Sequence, residues 1–121
     1  MNLNDPLLLF VYGTLKRGDR NHPLLMDEKY LGDTSTSPDY LLVDLGPYPG
    51  MVEKPLGGFS VQGELFEIPY KLIIELDKIE DAPFLFNLEL ITLADGSKAF
   101  SYLFKQSIEG GRILSEGVWQ S

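Results

Sequence analysis

The chain has 121 residues, 44% of them hydrophobic and 23% charged, the proportions of a soluble globular protein with one core, so a single domain over 1–121 is expected. Ten basic against 18 acidic residues leave a net charge of −8, which argues against nucleic acid or an anionic membrane as partner, because phosphates are repelled. Without cysteine, and with His22 as the only histidine, disulfides, thiolate chemistry and cysteine-ligated zinc are excluded, and multi-imidazole metal centres and a histidine triad are disfavoured.

The amino-terminal stretch MNLNDPLLLFVYG carries an apolar run too short to span a bilayer and lacks the layout of a signal peptide, which makes the cytoplasm the expected location. Residues Leu7 to Tyr12 read as a short strand ended by Gly13. HPLLMDEKYLGD predicts a short helix, with Pro23 near its start and Gly32 after its end. YLLVDLGPYPGMV reads as a strand broken by GPYPG. In FSVQGELFEI the apolar set runs Phe59, Val61, Leu65 and then shifts to Phe66 and Ile68, which predicts a bulge or bend near Gly63.

PYKLIIELDKIEDAP is the clearest helix, with Pro69 in its first turn and a stop expected just before Pro83. FNLELITL and KAFSYLF follow as strands joined at Asp95-Gly96, a hairpin signal. In the tail, Trp119 is expected as a packing anchor. The order strand, helix, strands, helix, strands predicts an α+β fold with a curved or barrel-like mixed sheet and two main helices.

One acid breaks the pattern. On a wheel of about 100° per residue, Leu72, Ile73, Leu76 and Ile79 form a stripe that Lys71, Glu75, Lys78 and Asp81 avoid. Asp77 sits at its edge, where it suits orienting the helix end. Glu80 falls inside the apolar arc. Desolvation and the negative end of the helix dipole would both raise its pKa, toward the range of a general acid–base. The bland alternative is that the helix ends at Ile79 and Glu80 is an ordinary surface acid.

FVYGTLKRGD poses the second question. Gly13 and Gly18 have the glycine spacing of a phosphate loop, but Asp19 and Arg20 stand where lysine and a hydroxyl are required, so that motif fails. The stretch is then either a plain strand-to-loop corner, or a loop whose exposed backbone N–H groups bind a carboxylate or an oxyanion. Lys16 and Arg17 are expected as solvated rim charges. The face taken by Glu64 is left open by the phase change beside it.

Taken together, Tyr12-Gly13-Thr14-Leu15, Gly63-Glu64-Leu65-Phe66, Leu76-Asp77-Lys78-Ile79-Glu80, the PYPG stretch at 47–50 and the run from Glu80 to Pro83 resemble the γ-glutamylcyclotransferase-like family, particularly its γ-glutamylamine cyclotransferase branch. The resemblance implies a small mixed-sheet half-barrel and a cofactor-free, metal-free acyl transfer on a small γ-glutamyl substrate. The substrate's α-amine attacks its own γ-carbonyl, closing 5-oxoproline and expelling an amine. It further implies Glu80 as the catalytic acid–base, with Tyr12, Gly13, Thr14 and Leu15 binding substrate and Tyr48 and Phe86 bordering the cleft. The family's P-x-x-Y-x-R reads PFLFNL here, placing Phe86 and Leu88 where a tyrosine and an arginine are usual. That departure supports a second reading, a catalytically idle member that binds a small molecule or a protein. A third reading is a nucleotide or phosphate binder using Lys16, Arg17 and Arg20.

Overall fold

The computed structural model describes residues 2–120. A five-stranded sheet in the order β2-β5-β1-β7-β6 contains β1 (Pro6–Val11), β2 (Lys29–Ser35), β5 (Gln62–Pro69), β6 (Phe86–Thr92) and β7 (Lys98–Phe104). A second sheet in the order β4-β3-β8 contains β3 (Tyr40–Asp44), β4 (Pro49–Glu53) and β8 (Arg112–Ile113), and the two sheets do not close into a barrel. Among the described residues there is one α-helix, α1 (Tyr70–Ile79), which connects β5 to β6. The mixed α+β architecture agrees with the expectation, β1 and β7 pairing parallel while their other neighbours pair antiparallel.

The continuous apolar run of β1 reflects burial on both faces. Leu7, Leu9 and Val11 join a cluster with Ile73 and Leu76 of α1. Phe10 and Tyr12 join a second cluster with Tyr40, Leu42, Met51 and Trp119. Burial of each large side chain in these clusters contributes about 2 kcal/mol before chain entropy is charged against it. Trp119 is 8% exposed, an anchor as expected.

The same two-sidedness corrects the bulge expected near Gly63. Val61 and Leu65 pack into the second cluster, while Phe66 and Ile68 pack into the first. The apparent phase shift is therefore the two faces of one strand, which pairs β1 in unbroken register from Glu64 to Pro69. The irregularity lies across the ladder in β2, between Tyr30 and Gly32. Gly63 is required for close approach: a Cβ there would stand 2.3 Å from the carbonyl oxygen of Val11.

The expectation of two main helices also needs correction. His22–Leu25 forms a four-residue 3₁₀ turn, and the chain from Lys29 is already strand β2. The segment has too little apolar surface for a packed helix. Leu25 is buried, yet Met26, Tyr30 and Leu31 remain exposed, and the open edge of β5 offers the backbone a ladder instead. The Asp95-Gly96 hairpin forms as expected, with Asp95 Oδ1 accepting the Ser97 backbone N–H at 2.9 Å. Among the described residues, no helix is long and apolar enough to cross a membrane.

Candidate active site

The helix that presents Glu80 is fixed at both ends. At its start the N–H groups of Tyr70 and Lys71, which have no partner inside a helix, donate to the carbonyls of Asp5 and Leu3 at 2.8 Å each. At its end α1 stops at Ile79, earlier than Pro83 alone predicts, because Asp81 adopts a φ of 49° and turns the chain out of the helix. Glu80 is the C-cap residue. Its N–H donates to the Leu76 carbonyl at 2.9 Å, and its own carbonyl accepts the N–H of Phe86, the first residue of β6, at 3.2 Å. The backbone of Glu80 is thereby held between the helix and the sheet.

The helix thus ends where the bland reading of Glu80 required, but the side chain does not become a surface acid. Glu80 is half-buried and lines a cavity of about 180 Å³. Burial pushes its carboxyl up to about 7. Ile79, placed on the buried stripe by periodicity, is instead 52% exposed at the rim of this cavity.

The expected site residues Tyr12, Gly13, Thr14, Leu15, Tyr48 and Phe86 all line the same cavity as Glu80. Gly13 is there for proximity, not for an unusual dihedral, since an added Cβ would meet Pro49 Cγ at 2.7 Å. The turn beyond it is closed by Lys16 N–H donating to the Gly13 carbonyl and Asn21 N–H donating to the Thr14 carbonyl. These bonds use carbonyls and leave the amides of Gly13, Thr14 and Leu15 outside them. Asn21 Nδ2 also donates to Thr14 Oγ1 at 3.0 Å, doubling the link. Tyr48 and Phe86 meet edge to face at 5.7 Å, and Phe86 meets Phe104 at 5.3 Å. Leu88 lies farther along β6, outside the cavity wall, and packs on the cluster beneath α1.

Two tyrosines bind the walls together. Tyr12 Oη donates to the Tyr102 carbonyl at 2.6 Å and accepts the Met51 N–H at 3.2 Å, joining β1, β7 and β4. Tyr102 Oη donates to Asp77 Oδ1 at 2.8 Å, which ties α1 to β7 one turn before Glu80. Burial drives both phenols upward from their ordinary pKa, so both stay protonated. Asp77 therefore orients the helix end, in agreement with its edge position on the wheel. Tyr102 and Asn21, which no sequence motif marks, also line the cavity, as does Arg20 of the phosphate reading. The alternation of KAFSYLF carries a signal for Tyr102 only once β7 is known to sit beside β1.

The outer side of the loop is bolted from behind. Glu64, 9% exposed, accepts the Arg17 backbone N–H at 2.8 Å and Arg17 Nε at 3.3 Å. The Arg17 guanidinium lies 3.8 Å over the Tyr30 ring, and Lys16 Nζ donates to the Trp119 carbonyl at 2.7 Å. These cations are structural ties, where sequence suggested solvated rim charges. Among the described residues no group of three or more acidic or imidazole side chains is placed to hold a metal ion.

Comparison with known proteins gives the family of the chain. Residues 9–121 match the family model described as gamma-glutamyl cyclotransferase, AIG2-like. A Vibrio cholerae protein whose name gives it as a candidate gamma-glutamylcyclotransferase is 37% identical over 112 residues, covering 93% of this chain and 94% of that protein. The mouse gamma-glutamylaminecyclotransferase is 35% identical over 82 residues, 62% of this chain and 55% of the mouse protein. The crystal structure of a uropathogenic Escherichia coli-specific protein superposes with a TM-score of 0.84 at 29% identity, covering 95% of this chain and 93% of that one. The chain belongs to the gamma-glutamyl cyclotransferase, AIG2-like family.

Proposed function

We propose that this family member is a cofactor-free cyclotransferase that acts on a γ-glutamyl amine or a related small compound, releasing 5-oxoproline and an amine. The observation that carries the reading is a carboxyl titrating near 7, Glu80, in one cavity with the Tyr12–Leu15 loop. The reaction needs one group that takes a proton and gives it back. As the substrate's α-amine attacks its γ-carbonyl carbon, Glu80 accepts a proton from the attacking nitrogen. It returns that proton to the leaving nitrogen as the old amide bond breaks, a task suited to an acid with a pKa near the working pH. The amides of Gly13, Thr14 and Leu15 face the developing oxyanion. Because nucleophile and electrophile share one molecule, holding the chain folded back on itself supplies much of the acceleration and calls for no cofactor.

The test is 5-oxoproline release from a panel of γ-glutamyl amines and γ-glutamyl peptides by the protein and by Glu80→Gln. Undiminished turnover in the variant would sink the proposed role. The acidic, cysteine-free composition suits a cytoplasmic enzyme with a small-molecule partner and neither nucleic acid nor membrane as ligand.

A second reading, a catalytically idle binder on the same fold, is favoured by Phe86, which makes part of the wall apolar. Tight ligand binding in a thermal-shift screen, without product from any γ-glutamyl compound, would establish it. The phosphate reading has less support, because Lys16 and Arg17 are committed to Trp119 and Glu64.

A further inference from the structure

The 12–20 loop carries three cations, and the fold engages two of them on its outer side. Lys16 is held by the Trp119 carbonyl. Arg17 is held by Glu64 and Asp33 and stacked on Tyr30. Arg20 is placed differently. Its Nη2 donates to the Pro47 carbonyl, across the loop that precedes β4, and the residue lines the cavity. Among the described residues it makes no ion pair, in a chain where acids outnumber bases 18 to 10. Among the described residues that line the cavity, Arg20 is the only cation and Glu80 the only acid.

This leaves a guanidinium steered toward the cavity by one neutral acceptor, with most of its five donors uncommitted. The other mouth residues, Tyr48, Ile79 and Leu85, bring no charge that would compete for them. A carboxylate entering a cavity that holds ionised Glu80 meets like-charge repulsion. A planar guanidinium on the same wall offsets that repulsion and offers a fork matched to two carboxylate oxygens.

Resting on the cyclisation reading, we propose that Arg20 binds a carboxylate of the substrate at the cavity mouth and sets specificity for anionic γ-glutamyl compounds. Two sources share this chemistry: the α-carboxylate of the γ-glutamyl unit, and a carboxylate carried by the leaving amine. The two charged groups then divide the work, Glu80 moving the proton and Arg20 holding the negative charge.

The test crosses two proteins with four ligands. The wild-type chain and Arg20→Gln are assayed for cyclised product with γ-glutamyl-propylamine, its α-carboxamide, γ-glutamyl-glycine, and the α-carboxamide of γ-glutamyl-glycine. Arg20→Gln is expected to raise KM by about tenfold for ligands bearing the recognised carboxylate, with kcat changed far less and the matching uncharged ligand unaffected. Arg20→Lys is expected to recover part of the loss. Sensitivity confined to ligands with the α-carboxylate assigns the γ-glutamyl unit, and sensitivity to the glycine carboxylate assigns the leaving group. An equal loss for charged and uncharged ligands, or no loss, overturns the proposal. If the wild type turns over none of them, the cyclisation reading fails on its own, and calorimetric binding of γ-glutamyl-glycine, the acid, against its analogue with both carboxyls replaced by carboxamides decides the role of Arg20. A preference for the acid that disappears in Arg20→Gln supports it, and no preference, including no binding of either, overturns it.

Discussion

Glu64 and Glu80 are both acids partly or wholly withdrawn from water, and their carboxylates end with opposite partnerships. Glu64 sits on a strand with a backbone N–H and a guanidinium held against its two oxygens. Glu80 caps a helix, its backbone clamped between α1 and β6, and among the described residues no hydrogen-bond donor reaches its carboxylate. Without donors to replace water, burial makes a carboxyl hold its proton more tightly, and that is the condition of Glu80. A satisfied acid is a fastener, and an unsatisfied one facing a cavity is available for proton transfer. The fastener also serves the reactive acid, because Glu64 holds the loop whose inner side forms the wall shared with Glu80.

The largest effect expected from breaking this contrast is on turnover. Glu80→Gln keeps the shape and removes the titrating group, and 5-oxoproline release should fall by about 10² to 10⁴-fold with the circular dichroism spectrum unchanged. In the wild type, kcat/KM should rise with pH through an ionisation near 7, the value to which burial lifts Glu80.

Next in size is a stability effect of definite sign. Glu80 binds its proton more tightly folded, near 7, than its ordinary value of 4.5. The resulting stabilisation is complete below about pH 4.5 and is lost as pH climbs through 7, at a cost of about 3 kcal/mol. Urea denaturation from pH 5 to 9 should show that slope, and Glu80→Gln should flatten it and be the more stable protein at pH 9. A variant with an unchanged slope would remove Glu80 as its source.

Smaller still is the loss of the fastener. Glu64→Ala should destabilise the chain by about 1–3 kcal/mol, because it strips the partner of the Arg17 N–H. It should also raise KM by loosening the substrate loop, with Glu64→Gln intermediate because an amide oxygen can still accept that bond. If Glu64→Ala altered stability while KM stayed fixed, the link between the two acids would be broken. The smallest change is Tyr102→Phe, which removes the bond to Asp77 and should cost about 1 kcal/mol in urea denaturation.

Much of the fold is local and was legible. Pro69 and the Ile73–Leu76 spacing mark α1, Asp95-Gly96 marks the β6–β7 turn, and the Gly46-Pro47-Tyr48 corner separates β3 from β4. The errors lie where tertiary pairing overrides local pattern. His22 to Asp33 has a plausible helix start and end, but Met26 and Leu31 find nothing to pack on, and the vacant edge of β5 takes residues 29–35 as a strand. The phase shift around Gly63 resembles a bulge only until both faces of β5 are known to be covered.

For the site, sequence alone singled out an acid on an apolar arc and a glycine-containing loop, because helical periodicity and turn chemistry act over a few residues. Which of the chain's carboxyls would find donors is decided far beyond the reach of local pattern: Glu64 meets Arg17 47 positions away, and Tyr102 meets Asp77 25 positions away. The fates of Lys16, Arg17 and Arg20 follow the same rule, since composition counts charges but only packing decides which side of a loop each one takes. Burial and hydrogen-bond partnership are properties of the assembled chain, and they separate the acid that fastens from the acid that reacts.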